Sequence, residues 1–258
     1  MAFEAWDSAS GADMTQDKNI PRTIHYCWYG NSPLSELGER CMETWREAMP
    51  DFLIEKWDES RLDRGIRYVD LAYRARKFAF VADYVRLLTL HEYGGLYFDT
   101  DIEVIKTFDE LLDCPLFFGL QAPGSIGVGV IGAVKGDPFL RLILDKLDEE
   151  ARRGALTYEP LPELVTTLAR ANGSVAPRLF PEEYFYPYNP YSPVALRRKP
   201  LQSNMSERTF CIHHWEGTWL GEASLAMMIA IRCRAAIRKA NPARWWGLPV
   251  AQAGVSRP

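Results

Sequence analysis

The stretch Gly-Gly-Leu-Tyr-Phe-Asp-Thr-Asp at residues 94–101 decides the fold class of this chain. Its two glycines favour the end of a helix, and the short apolar run after them is typical of a buried strand. Residues two apart on an extended backbone face the same way, so Asp99 and Asp101 can point at one place. Paired carboxylates suit a divalent cation such as Mg²⁺ or Mn²⁺, and such a cation suits a diphosphate.

A bare Asp-x-Asp triplet is more often a solvated turn or a helix N-cap than a metal site. Here the triplet follows a buried strand, and α/β folds place their ligand chemistry at strand ends. The stretch therefore predicts an enzyme that handles a nucleotide or a nucleotide-sugar.

Composition restricts the class of protein. The chain has 258 residues, of which 47% are hydrophobic and 25% are charged, as in one large globular domain. A net charge of −4 argues against nucleic acid as the main partner. No apolar run approaches the ~20 residues that span a bilayer, and the N-terminus lacks a secretory signal. The five scattered cysteines form no CxxC pair, which predicts buried thiols in a reducing, cytoplasmic compartment.

Strand and helix patterns alternate along most of the chain. We predict strands at residues 20–30, 52–57, 96–98, 102–105, 116–120, 128–134 and 210–215. We predict helices at residues 37–49, 70–93, 139–152 and 222–239. Residues 158–200 are rich in proline and aromatic side chains, which disfavours helix and favours a lid or a loop system on the acceptor side.

The predicted helix at 70–93 carries Asp83 and Arg86, which are three residues apart and share a face. One interpretation is a surface ion pair worth a few tenths of a kcal/mol, and the spacing taken alone favours it. The other directs both side chains toward the Asp99/Asp101 strand. There Asp83 would accept hydrogen bonds from sugar hydroxyls and Arg86 would contact sugar or phosphate.

The runs at 77–86 and 92–101 resemble the DXD-motif glycosyltransferase family with the "sugar-binding region". That family includes fungal mannosyltransferases and bacterial capsular-polysaccharide transferases, with the clostridial glucosylating toxins as more distant relatives. The similarity also covers, in order, residues 20–30, 117–119, 132–140, 185–187 and 213–219.

The resemblance implies an α/β fold, a single GT-A domain (Rossmann-like nucleotide-diphospho-sugar transferase) with a mixed central sheet and a C-terminal helical appendage. The corresponding boundaries are a disordered segment at 1–19, the GT-A domain at 20–220 and an amphipathic helix with tail at 221–258. It also implies roles for single residues. Those roles are nucleobase stacking by Trp28, donor-sugar contacts by Asp83 and Arg86, ribose or phosphate contacts by Tyr97 and Asp99, and direct metal ligation by Asp101.

A second metal-binding element is predicted at residues 213–219, which read His-His-Trp-Glu-Gly-Thr-Trp. Adjacent residues of a strand point in opposite directions, so one histidine of the pair is expected to reach the site. The His-x-x-Gly spacing seen in related transferases selects His214 as a ligand beside Asp99 and Asp101. His213 then has a core or supporting role. Trp219 either closes over the diphosphate or packs as a core aromatic.

Residues 123–130, Pro-Gly-Ser-Ile-Gly-Val-Gly-Val, depart from the family pattern, in which polar side chains such as asparagine often precede this strand. The departure predicts recognition through backbone groups, or an altered specificity. The C-terminal helix at 222–239 is basic and amphipathic, with Trp245 and Trp246 following it. It could lie on the inner face of an anionic membrane near a lipid-linked acceptor, or pack on the domain.

The expected function is a metal-dependent retaining glycosyltransferase. It would use Mn²⁺ or Mg²⁺ and move a hexose from a nucleotide-diphosphate sugar to a polysaccharide or lipid-linked glycan, in bacterial surface or capsular polysaccharide synthesis. Asp83, Arg86 and Asp101 form the expected catalytic set. The alternatives are a non-catalytic nucleotide-sugar-binding module and a nucleotidyl or phosphoryl transferase. The latter normally has a lysine-bearing phosphate loop, and no GxxxxGK[ST] occurs here.

Overall fold

The computed structural model describes residues 19–30, 32–190 and 205–217. In chain order the elements begin with β1 (Thr23–Cys27), α1 (Glu36–Ala48), β2 (Leu53–Trp57), α2 (Arg67–Arg74), α3 (Phe78–Tyr93), β3 (Gly95–Phe98) and β4 (Ile102–Val104). They continue with β5 (Leu116–Ala122), β6 (Ser125–Ala133), α4 (Pro138–Arg152), α5 (Leu161–Ala171), β7 (Arg178–Phe180), α6 (Glu182–Phe185) and β8 (Cys211–His213). The predictions for Trp219, for residues 1–18 and for the C-terminal helix lie outside the described residues.

A mixed six-stranded sheet forms the centre of the fold, in the order β2-β1-β3-β6-β5-β7. The pairs β1–β2, β1–β3 and β5–β7 are parallel, whereas β3–β6 and β5–β6 are antiparallel. A separate two-stranded antiparallel sheet joins β4 to β8, with Ile102 opposite His213. The predicted α/β fold with a mixed central sheet is therefore confirmed.

The sheet separates two apolar clusters, because its central strands β3 and β6 are buried on both faces. Side chains of α2, α3, α4 and α5 cover one face, and side chains of α1, α6, β4 and β8 cover the other. The β3 side chains alternate between these clusters, Tyr97 to the first and Leu96 and Phe98 to the second. On the second side, the fully buried Trp45 donates its indole N–H to the Ile102 carbonyl at 2.6 Å. This bond fixes α1 against the chain that follows Asp101.

The helix predicted at 70–93 is divided into α2 and α3. Arg76 lies between them with a φ of +57°, in the left-handed region. The Lys77 N–H reaches the Ala72 carbonyl at 2.9 Å and the Arg76 N–H reaches the Tyr73 carbonyl at 2.9 Å, which is the pattern of a Schellman C-cap. Because the left-handed residue is an arginine and not a glycine, this helix end was not predictable from the sequence pattern.

The proline-rich region contains more regular structure than predicted. Helix α5 begins immediately after Pro160, and Pro162 occupies its first turn. Proline is tolerated there because the first turn of a helix has no intrahelical partner for its N–H. The prediction of a region without helix is therefore wrong for Leu161–Ala171. No described helix has the length and apolar character that crossing a membrane requires.

We expect Gly132→Ala to destabilise the fold by about 1–3 kcal/mol, because an added methyl group would overpack the core. A Cβ at position 132 would lie 2.1 Å from Cε1 of the fully buried Phe117 ring. Gly173→Ala is the matched control, since a Cβ there meets nothing within 4 Å. Urea unfolding measures both variants, and equal free energies of unfolding would contradict this account of the core.

Candidate active site at the end of strand β3

Three potential metal ligands converge where β3 ends. Asp99, Asp101 and His213 each offer one ligand atom, and these atoms lie within 4.8 Å of one another. The two aspartates follow β3 directly. His213 is the last residue of β8 and reaches them because β8 pairs with β4, which begins immediately after Asp101.

Asp101 is the most enclosed of the three groups, with 10% of its side chain exposed. Its Oδ1 lies 3.1 Å from His213 Nε2, and its Oδ2 accepts the Glu216 N–H at 2.8 Å. Burial alone would raise the pKa of this carboxyl, but His213 and the Glu216 N–H outweigh it and hold the pKa below its usual value. Asp101 is therefore an anion fixed in one orientation.

The two carboxylate oxygens of Asp99 have different surroundings. Its Oδ1 accepts the Tyr97 hydroxyl at 3.2 Å and pairs with Arg86 Nη1 at 3.2 Å. Its Oδ2 faces Gly129 of β6, where a Cβ would lie 2.8 Å from Oδ2 and 3.4 Å from His213 Cε1. The absence of a side chain at 129 thus leaves room between Oδ2 and the histidine. Gly129 belongs to residues 123–130, the segment that departs from the family pattern. The backbone of this segment, and not a side chain, borders the site there.

The donor set fits a divalent cation. Asp99 Oδ2, the Asp101 carboxylate and the His213 imidazole supply hard oxygen atoms and one nitrogen atom, a combination that suits Mn²⁺. The space that Gly129 leaves open lies beside two of these ligands. Asp99, Asp101 and His213 are therefore the residues that would hold the ion.

Arg86 lies inside the protein, with 7% of its side chain exposed. Its guanidinium pairs with Asp83 at 3.0 Å and Asp99 at 3.2 Å, and donates to the Val128 carbonyl at 2.9 Å. It also lies 4.5 Å from the centre of the Tyr97 ring. The interpretation of Asp83 and Arg86 as a surface ion pair does not fit this burial, because Arg86 joins α3 to β3 and β6 beneath the ligand cluster.

Asp83 is the titratable group of this network. Burial raises the pKa of its carboxyl to about 6, Arg86 opposes the rise and Asp99 adds to it. The side chain remains 16% exposed, so it can meet a ligand while paired with Arg86. Asp83 thus changes charge close to neutral pH.

The histidine in the ligand cluster is His213, whereas the sequence argument selected His214. The His214 Nε2 lies 2.7 Å from Glu103 Oε2 and outside the ligand group. The choice of His214 rested on the His-x-x-Gly spacing of related transferases. Here β8 ends at His213, and the turn after it contains Trp215 with a φ of +58°. The sequence predicted that one of His213 and His214 reaches the site. Which of the two does so depends on the register of β8 with β4, in which His213 lies opposite Ile102.

Trp28 lies at the same sheet edge as the ligand cluster. It follows β1, and β1 runs parallel to β3, so Trp28 and Asp99 both come after the carboxyl ends of neighbouring strands. The ring is partly exposed, and its Nε1 donates to the Ser32 carbonyl at 2.6 Å. The structure therefore places an aromatic ring, held by this hydrogen bond, at the edge of the sheet where a planar ligand could stack on it.

Part of the chain is similar to known proteins. Residues 35–117 match the family "Glycosyltransferase sugar-binding region containing DXD motif". Inositol phosphoceramide mannosyltransferase 3 of Schizosaccharomyces pombe is 28% identical over 141 residues, 51% of this chain and 38% of that protein. Mannosyl phosphorylinositol ceramide synthase CSH1 of Saccharomyces cerevisiae is 25% identical over 145 residues, 54% of this chain and 38% of that protein. This chain thus spans about two fifths of the length of these relatives.

Among solved structures, PaToxG glycosyltransferase is similar with a TM-score of 0.48 and 18% identity, covering 61% of this chain and 72% of that one. A TM-score of this size supports no conclusion about the reaction. The match to the DXD family supports the resemblance drawn from the sequence, and its segment contains Asp83, Arg86, Tyr97, Asp99 and Asp101.

The two histidines allow a matched test of the ligand set. We expect His213→Gln to weaken Mn²⁺ binding at least about tenfold, because it removes a ligand group. We expect His214→Gln to leave it within about threefold, because the His214 side chain pairs with Glu103 outside the ligand cluster, and such partly exposed pairs contribute little. Electron paramagnetic resonance of free Mn²⁺ during titration measures both dissociation constants. The reverse ranking, with both variants folded by circular dichroism, would return His214 to the ligand set.

Asp83 should make the stability of the metal-free protein depend on pH. A carboxyl whose pKa is raised in the folded state favours folding below its unfolded pKa and loses that contribution as the pH rises through the folded pKa. Relative to Asp83→Asn, we expect the wild-type free energy of unfolding to fall by roughly 2–3 kcal/mol between about pH 4 and pH 6. Urea unfolding of both proteins across this range, with a chelator present, measures the difference. Parallel profiles would exclude the raised pKa.

Proposed function

We propose that this chain, whose residues 35–117 match the glycosyltransferase family with a DXD-containing sugar-binding region, transfers a hexose from a nucleotide-diphosphate sugar to a hydroxyl acceptor. One observation carries the proposal. A preformed cluster of two carboxylates and an imidazole lies beside a buried arginine and a fixed aromatic ring at one sheet edge.

Each part of the donor has a matching group. Trp28 offers an aromatic face to a nucleobase, and stacking on such a face is worth about 1–3 kcal/mol in nucleic-acid systems. A divalent cation bound to Asp99, Asp101 and His213 would supply Lewis-acid stabilisation of the negative charge on the departing diphosphate. The buried Arg86 guanidinium pairs with Asp99 beneath the same region and so fixes the orientation of that ligand.

Asp83 is suited to orienting the donor sugar. A carboxylate accepts hydrogen bonds from neighbouring hydroxyls, and this one has part of its surface exposed next to Arg86. Its charge is engaged by the guanidinium, which favours an orienting role over covalent attack on the anomeric carbon. We therefore propose a retaining transfer in which the acceptor hydroxyl attacks on the face that the diphosphate leaves.

The acceptor is proposed from the kind of relatives that the chain resembles. Two of them are named for adding mannose to an inositol phosphoceramide, so we propose mannose as the first donor sugar to test and a lipid-linked glycan or a polysaccharide as the acceptor. Neither name refers to capsular polysaccharide, and a role in bacterial surface polysaccharide synthesis remains our hypothesis. The four described cysteines are buried and unbridged, which supports the proposal of a cytoplasmic enzyme.

The proposal predicts hydrolysis of one nucleotide-sugar with Mn²⁺ and its loss on removal of the cation. We expect one member of a panel that includes GDP-mannose, UDP-glucose and UDP-galactose to release its nucleoside diphosphate. Asp101→Asn should lower that rate by about 100-fold or more, because the site loses one of the two anionic ligands that would hold the cation. Asp145→Asn, which changes an exposed carboxylate of α4, is the matched control and should leave the rate unchanged.

The outcomes separate the competing functions. Donor binding without turnover, measured by calorimetry, would favour a non-catalytic sugar-nucleotide-binding module. Turnover that is insensitive to a chelator would exclude the metal-dependent mechanism. Proton NMR of the sugar product tests retention, because the first anomer formed should have the configuration of the donor.

A further inference from the structure

The turn at residues 214–217 orients Asp101 although its own backbone is strained. Trp215 has a φ of +58°, in the left-handed region that is unfavourable for a bulky side chain. The same turn delivers the Glu216 N–H to Asp101 Oδ2 at 2.8 Å and the His214 N–H to the Asp101 carbonyl at 3.1 Å. A turn that relaxed its backbone would withdraw both hydrogen bonds from Asp101.

Contacts outside the turn must therefore hold it in place. The Trp215 ring packs against His213, with ring centres 4.2 Å apart, and its Nε1 donates to the Tyr188 carbonyl at 2.7 Å. A further side-chain contact leads to a distant part of the chain. Glu216 Oε2 accepts the hydroxyl of Ser35 at 2.8 Å, across 181 positions of sequence.

Ser35 can serve two partners because a hydroxyl both donates and accepts. It is the N-cap of α1, and its Oγ accepts the Gly38 N–H at 3.0 Å while its own hydrogen points to Glu216. Helix α1 is itself fixed to the Asp101 segment through the bond from Trp45 to the Ile102 carbonyl. Ser35 is therefore a rigid point to which the turn can be attached.

We propose that Ser35 and Glu216 are positioning residues, whose mutual hydrogen bond holds the 214–217 turn in the strained conformation that orients Asp101 beside His213. Neither side chain lies in the ligand cluster, and both act through the backbone of the turn. This inference rests on the proposed metal-dependent function. Its functional consequence is that the hydrogen bond between Ser35 and Glu216 strengthens the binding of the cation.

Three variants distinguish the effect of the hydrogen bond between Ser35 and Glu216 from the effect of the N-cap of α1. Ser35→Asp keeps a strong N-cap, but it places a carboxylate against Glu216 and so breaks the bond by repulsion. Glu216→Gln keeps an oxygen that accepts the Ser35 hydroxyl. The double variant Ser35→Asp with Glu216→Gln restores a bond, because the glutamine amide donates to the aspartate at position 35.

Two measurements report on the turn. The first is amide hydrogen exchange of residue 216 by NMR in metal-free buffer, and the second is the Mn²⁺ dissociation constant by electron paramagnetic resonance. We expect Ser35→Asp to accelerate the exchange and weaken Mn²⁺ binding, each about tenfold. Glu216→Gln and the double variant should remain within about threefold of the wild type in both measurements.

Recovery in the double variant would support the positioning role, since a merely structural role of Ser35 predicts no rescue by Glu216→Gln. Unchanged amide exchange in Ser35→Asp, or a double variant as impaired as Ser35→Asp, would overturn it. Should the wild type bind no Mn²⁺ while the exchange pattern appears as expected, the positioning of Asp101 stands and the proposed metal-dependent function fails.

Discussion

The Arg86 guanidinium, only 7% exposed, carries a full positive charge that the interior tolerates because Asp83 and Asp99 neutralise it and the Val128 carbonyl takes a further N–H. These partners belong to three different parts of the fold. The charge therefore fixes α3, the end of β3 and the backbone of β6 relative to one another. Because these groups come from separate parts of the chain, the buried charge is fully satisfied when all three parts meet in this arrangement.

The same constraint explains how Asp99 behaves. With Oδ1 committed to Arg86 and Tyr97, the carboxylate cannot rotate freely, and Oδ2 points toward Gly129 and His213. Asp101 is fixed by different means, through His213 and the Glu216 N–H. Two neighbouring aspartates are thus oriented independently, one from the α3 side of the sheet and one from the β4–β8 side. Such preorganisation is what a site for a divalent cation requires, because the carboxylate oxygens must converge on one point.

Much of this was predictable from the sequence because the signals were local. The period-two pattern of β3 correctly separated Tyr97 from Leu96 and Phe98, and the three-residue spacing correctly placed Asp83 and Arg86 on one helix face. The remainder depended on non-local geometry. The end of α2 at the left-handed Arg76 has no glycine to mark it, and the choice of His213 follows from pairing with a strand more than a hundred residues away.

The β4–β8 pair also has a consequence for the order in which the protein assembles. The six-stranded sheet is complete once β7, which ends at Phe180, has been made, whereas His213 belongs to the last described strand. During synthesis from the N-terminus, the two aspartates therefore exist in a nearly finished domain before the histidine has left the ribosome. Closure of the ligand cluster is therefore a late, long-range event, and a nascent chain stalled before β8 would carry both aspartates without the histidine.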